Sequence, residues 1–191
     1  MFTLLTGETQ LFDAKGQRKY LNKAERQDFY RAVSMINHPR DRALGLTLYY
    51  TGCRPSEASA LDISNIDTGE NVIMFRTLKQ RKKVVYRAVP VPQSLIEDLL
   101  LAHRLNGKLF PLSRTRVYKI VKDFMKRAGI TGIKATSKGL RHGFAVACIE
   151  NNIPLTLVQK FMGHSRLEST RIYLDIIGKE EREFASRLWR H

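Results

Sequence analysis

Residues 62–91 break the helical rhythm of the rest of the chain, and that break sets the fold class. Apolar residues elsewhere recur at helical spacing, but here they come in short β-type runs: Ile63 and Ile66, Val72-Ile73-Met74-Phe75, and Val84-Val85-Tyr86. Thr68-Gly69-Glu70-Asn71 and Gln80-Arg81-Lys82-Lys83 are the turns between them. A three-stranded antiparallel sheet is expected, ended by Pro90 and Pro92, which cannot donate to a ladder.

Helices flank this sheet. Asn22 with Glu25 three residues later reads as an N-cap with its reciprocal partner. It opens an amphipathic helix to about Ile36, with Phe29, Val33 and Ile36 on one stripe. Pro39 starts a second helix, carried by Leu44, Leu46, Leu48 and Tyr49 and stopped at Gly52. Pro55 suits the first turn of a third, which leaves Arg54 at its N-terminus and Glu57 one turn later. Beyond the sheet, periodicity predicts helices at about 93–105, 113–128, 137–150 and 154–162, then a further turn around 166–175. The fold class is mainly α with a small three-stranded antiparallel β-sheet, that is, α+β. Residues 1–21 read as a weak hairpin or linker, 22–177 as the domain, and 178–191 as a C-terminal helix with Phe184 and Leu188 in register. Tyr49, Tyr50, Tyr86 and Tyr118 are expected in or near the core.

Charge narrows the function. Lys and Arg number 33 against 18 Asp and Glu, a net charge of +15, and self-repulsion on that scale calls for a polyanionic partner. The helix at 113–128 is basic on one side through Arg114, Arg116, Lys119, Lys122, Lys126 and Arg127, either as a solvated face or as a DNA contact. Arg76, Lys79, Arg81, Lys82 and Lys83 crowd the second hairpin, where each could touch phosphate. The two cysteines, Cys53 and Cys148, sit in apolar surroundings that suggest no disulfide framework and a reducing compartment. No signal peptide or membrane span is expected, so the reading is a soluble, cytoplasmic chain. The carboxylates do not cluster, the five histidines are scattered and no Gly-rich phosphate loop is present; no metal or cofactor is expected.

Three boxes carry the chemistry: K-G-L-R-H at 138–142, G-H-S at 163–165 and R-I-Y at 171–173. Lys138 and Arg141 share a face if 137–150 is helical. Arg141 and His164 offer donors to the non-bridging oxygens of a phosphodiester, where charge builds in the transition state. Tyr173 offers the attacking hydroxyl.

With Arg54 in T-G-C-R-P-S-E, Lys79 in a hairpin, and a Tyr nine residues after the His, the series resembles the tyrosine recombinase (phage integrase) family. The resemblance spans about Asn22 to Ile177, essentially the family's catalytic domain, and implies that domain's fold. It implies that Arg54 and Arg141 clamp the scissile phosphate and that His164 donates to it. Tyr173 would attack to leave a 3′-phosphotyrosine, and Lys79 would protonate the leaving 5′ oxygen or serve only as a phosphate contact. Lys138 stands where the family usually has His, for proton handling or for phosphate binding. Glu57 would orient an arginine or the hairpin, and His142 would be structural. The family also implies double-stranded DNA as partner and a homo-tetramer on two sites, with the C-terminal helix docking on a neighbouring protomer. The helical domain that usually precedes this one has no counterpart here, as in a fragment or in the small single-domain invertases. A type IB topoisomerase, or a non-catalytic DNA-binding accessory protein on the same fold, are the rival readings.

Overall fold

The computed structural model describes residues 11–78, 84–103 and 108–174. Its first helix, α1 (Lys23–Ser34), starts at the expected cap: the Asn22 side chain accepts from the Glu25 N–H at 2.9 Å, and the Glu25 carboxylate accepts from the Asn22 N–H at 3.0 Å. α2 (Pro39–Thr51) runs from its proline to Gly52, whose φ of 57° is left-handed. A Cβ there would lie 2.4 Å from the Phe144 ring, so both conformation and space require glycine. α3 (Pro55–Ser59) follows at once.

The sheet differs from expectation at its start. Ile63–Asn65 is a 3₁₀ turn, and β1 is only Ile66–Asp67. Asp62 and Asn65 cause this: the Asp62 carboxylate accepts from the Ser64 N–H, and the Asn65 side-chain oxygen accepts from the Asp62 N–H. Such local bonds compete with a ladder. β2 (Val72–Leu78) pairs antiparallel with β1 and with β3 (Val84–Pro90), in the order β1-β2-β3. The register sets Ile73 opposite Val89 and Phe75 opposite Arg87, and all four side chains are buried on one face. Pro90 closes the strand opposite Val72, after which the Val91 N–H donates to the Asn71 carbonyl.

α4 (Gln93–Ala102), α5 (Arg114–Arg127), α6 (Ser137–Glu150), α7 (Leu155–Met162) and α8 (Glu168–Arg171) complete the described elements. The main core joins α1, α2, α4 and α5 to the inner face of the sheet through Phe29, Leu44, Phe75, Leu95 and Phe124, with Phe29 edge-on to Phe124. Burying each such side chain is worth about 1.5–3 kcal/mol. A second, smaller cluster gathers Leu11, Tyr20, Phe144, Val158, Met162 and Tyr173.

Residues 11–21 form a short hairpin, with Phe12 bridged to Arg18, and lie along α6. The Leu21 N–H donates to the Gly139 carbonyl at 3.2 Å, and a Cβ on Gly143 would stand 2.5 Å from the Leu21 oxygen. Backbone therefore runs against backbone. Tyr49 and Tyr50 rest half-buried on the main core, but Tyr86 and Tyr118 are 56% and 58% exposed, not in the core. Tyr86 points outward because its neighbour Arg87 points inward. Both cysteines are free: Cys53 is buried in the turn after α2, and Cys148 is half-buried on α6. Among the described residues, no helix is long and apolar enough to cross a membrane. The expected C-terminal helix at 178–191 lies outside the described residues.

Candidate active site

Three chain turns converge, and each has a local cause. The turn Gly52–Arg54 exists because Gly52 ends α2 and Pro55 opens α3. α6 begins where the Thr136 hydroxyl accepts from the Gly139 N–H at 3.0 Å, which places Arg141 in its second turn. Gly163, at φ 62°, ends α7 and turns the chain into His164.

Arg141 joins these turns. It is 9% exposed, and its Nη1 donates to the Gly52 carbonyl at 2.6 Å while its Nη2 donates to the Met162 carbonyl at 2.5 Å. Burial and the charge of Arg54 pull its pKa down to about 10, so it stays cationic at neutral pH. Lys138, one turn earlier on α6, is exposed, so the two cations differ in depth.

Arg54 is the accessible partner. Its side chain is 44% exposed; Nη1 donates to Glu57 Oε1 at 3.1 Å, and its backbone N–H donates to Glu57 Oε2 at 2.7 Å. The same carboxylate receives Arg87 from β3 at 3.0 Å and 2.8 Å, and Arg141 Nη1 stands 4.0 Å away. Burial alone would raise the Glu57 pKa, but the bond and charge from Arg87, the Arg54 N–H and Arg141 together hold it below the usual carboxylate range.

His164 is half-buried with Nδ1 2.9 Å from the Thr170 hydroxyl. Burial, then the charges of Arg141 and Arg54, press its pKa down to about 3, which makes it neutral at pH 7. Tyr173 is 1% exposed, nearly parallel to His164 at 6.4 Å between ring centroids. Its hydroxyl shares a 2.9 Å hydrogen bond with His142 Nδ1, and burial lifts its pKa to about 12 against the pull of Arg141 and Arg54. His142 is 7% exposed, its Nε2 has no protein partner, and burial with the nearby charges of Lys138, Arg141 and Lys19 lowers its pKa to about 4.

The sequence-predicted residues Arg54, Glu57, Arg141, His142, His164 and Tyr173 thus stand together. Lys79, Arg81, Lys82 and Lys83 lie outside the described residues. Arg76, Arg114, Arg116 and Lys119 are exposed, as are Lys126 and Arg127. Lys122 is turned inward instead: its Nζ donates to the Ala135 carbonyl at 2.8 Å and lies 5.8 Å from the Tyr118 ring centroid. Sequence reasoning missed Arg87 and Thr170. An available signal for Arg87 was its place between Val85 and Val89, where period-two alternation turns a charge toward the core. Thr170 carried no such signal.

Residues 19–179 match the Phage integrase family. The chain belongs to that family. Tyrosine recombinase XerA of Pyrococcus furiosus is 33% identical over 161 residues, which are 78% of this chain and 54% of that protein. Tyrosine recombinase XerH of Campylobacter jejuni is 31% identical over 167 residues, 82% of this chain and 45% of that one. The chain therefore spans about half the length of these curated relatives. Among solved structures, the XerA recombinase crystal structure superposes with a TM-score of 0.71 at 27% identity, covering 90% of this chain and 65% of that one. XerH bound to its difH substrate in a pre-cleavage complex gives 0.72 at 25% identity, covering 94% and 60%. As a Phage integrase family domain, the chain brings its T-G-C-R, K-G-L-R-H, G-H-S and R-I-Y boxes into one site.

Proposed function

We propose that this domain cleaves and rejoins double-stranded DNA as a site-specific recombinase, through a 3′-phosphotyrosine on Tyr173. The observation that carries the reading is the convergence of Arg54, Arg141 and a neutral His164 from three separated turns with Tyr173 from the end of α8. In the reaction the Tyr173 oxygen forms a bond to phosphorus as the bond from phosphorus to the 5′ oxygen breaks. The phenol gives up a proton and the 5′ oxygen gains one, so the products are a phosphotyrosine ester and a free 5′-hydroxyl. Rejoining is the reverse, and the ester conserves the energy it needs.

Each residue has a task. Arg54 and Arg141 neutralise the non-bridging oxygens, a positioned set of charges in place of covalent chemistry. His164, uncharged, donates a hydrogen bond to the same phosphate. Lys79 protonates the leaving oxygen. In the observed arrangement Tyr173 keeps its proton, because its neighbour His142 is a weak base and burial disfavours the phenolate. The proton passes to water as the hydroxyl nears the two guanidiniums, which favour the phenolate. Lys138, through its charge, helps keep His142 neutral. The relative XerH is solved on a DNA substrate, which supports DNA as the partner. We further propose assembly as a homo-tetramer on two sites, with activity in the cytoplasm.

The test is covalent trapping on a nicked duplex carrying the target site. Wild type should give a protease-sensitive protein–DNA band, and Tyr173→Phe should bind the duplex and give none. An adduct from the Phe variant would place the nucleophile elsewhere. Supplying two sites in one reaction then separates strand exchange from simple relaxation.

A further inference from the structure

We infer that Arg87 is a positioning residue of the phosphate clamp: it occupies Glu57 so that Arg54 stays available to the DNA, and it sets the distance from that clamp to His164. The assignment rests on the phosphoryl-transfer reading above. Arg87 sits on the inward face of β3 opposite Phe75, with its guanidinium 4.7 Å from the Phe75 ring centroid. Only 4% of its side chain is exposed, against 44% for Arg54, so a phosphate that reaches Arg54 does not reach Arg87. Its three nitrogens all work inside the protein. Nη1 and Nη2 grip the two oxygens of Glu57 at 3.0 Å and 2.8 Å, and Nε donates to the Phe161 carbonyl at 2.9 Å. Phe161 stands three residues before His164. One rigid fork therefore ties the α3 turn that presents Arg54 to the end of α7 that presents His164. Gly163 makes room for it, since a Cβ there would lie 3.1 Å from Arg87 Nη1.

The charge count explains why a third arginine is needed. Arg54, Arg87 and Arg141 surround a single carboxylate. Without Arg87, Glu57 would be a buried anion with one strong partner in reach, and it would draw Arg54 into a bidentate pair. That pair would neutralise the clamp before any phosphate arrived. Arg87 fills both carboxylate oxygens first and leaves Arg54 with one side-chain bond to Glu57 and most of its donors for a ligand. A lysine cannot substitute, because a single ammonium does not span two carboxylate oxygens and a backbone carbonyl in a fixed plane.

The test is Arg87→Lys in the full 191-residue chain, with DNA affinity and single-turnover cleavage of a nicked duplex measured side by side. Affinity should weaken by no more than the one phosphate contact of Arg54, with a salt slope lower by about 0.9, while cleavage slows about 10²-fold, the scale of a misplaced reacting group. Cleavage at the wild-type rate overturns the assignment. If Arg87→Lys does not fold, the paired variant Glu57→Gln with Arg87→Met removes both buried charges at similar volume and decides instead. That variant should bind and cleave slowly, and wild-type cleavage by it overturns the assignment equally. Wild type forming no adduct at all would sink the recombinase reading, an outcome separate from either variant result.

Discussion

Lowering the pH from 7 to 5 should cost this domain about 4 kcal/mol of stability, because His142 and His164 are both buried neutral among cations. The sign follows from proton counting. In the unfolded chain each imidazole takes a proton near pH 6.5, whereas in the folded protein His142 waits until about 4 and His164 until about 3. Between those values the unfolded state holds more protons, so stability rises with pH through the window and is lost as pH falls below 6.5. Each histidine contributes about 2 kcal/mol between pH 7 and 5 by that linkage. Glu57 and Glu25 act lower down: their depressed pKa values stabilise the fold above the unfolded value of 4.5, and that help fades only as pH drops below it. The histidine effect is thus separable from ordinary acid denaturation.

Urea unfolding followed by circular dichroism at pH 7, 6 and 5 measures the loss directly. It is a large share of the roughly 5–15 kcal/mol that holds a typical domain together. His164→Gln, which cannot titrate, should remove about half of the pH dependence. A free energy of unfolding that stays level from pH 7 to 5 would refute the reasoning, since it would mean these imidazoles protonate in the folded state as readily as in water.

DNA binding should weaken steeply with salt, log K falling by about 0.9 per phosphate contacted for each tenfold rise; a level response in a fluorescence titration would detach the basic faces of α5 and the hairpin from DNA. Gly143→Ala would place a methyl 2.5 Å from the Leu21 carbonyl oxygen. Backbone meets it there, so the variant should lose about 1–3 kcal/mol and release residues 11–21 to proteolysis, and wild-type stability would show that this segment does not rest on α6 in solution.

Much of the scaffold was legible because its signals are local. Asn22 and Glu25, Pro39 and Gly52, and Pro55 at the start of α3 are helix punctuation that acts within one turn. Strands β2 and β3 were legible from short β-type runs bounded by turn residues. What the sequence hid has partners far along the chain. Arg87 meets Glu57 across 30 residues and Phe161 across 74, and no spacing rule connects those positions. His142 looked structural beside Arg141, yet its ring meets Tyr173 across 31 residues. Lys122 looked like one more cation on a basic face, but its helix position turns the long apolar stem inward and its head finds the Ala135 carbonyl. Ile63 failed for the opposite reason: the cue was local, but Asp62 and Asn65 gave a stronger one than two spaced isoleucines.

The placement of Tyr173 sets what it costs to use it. Its ring belongs to the smaller cluster, with Leu11, Tyr20, Phe144 and Met162, and not to the main core built on Phe29, Phe75 and Phe124. Withdrawing it forfeits about 1.5–3 kcal/mol of ring burial and about 1 kcal/mol for the bond to His142. Neither loss touches the main core, so the opening is local and cheaper than unfolding. The segment between His164 and Tyr173 suits such a movement. It contains only α8, a single turn of four residues, whose Thr170 anchors His164 through its hydroxyl. A turn that short is held mainly by its contacts and little by its own backbone bonds. Tyr173 can therefore move while Arg141 stays fixed to the Gly52 and Met162 carbonyls. With Arg141 fixed and Tyr173 free to withdraw, the proposed clamp would be rigid and the proposed nucleophile not, the division of labour that repeated cleavage and rejoining of one phosphate requires.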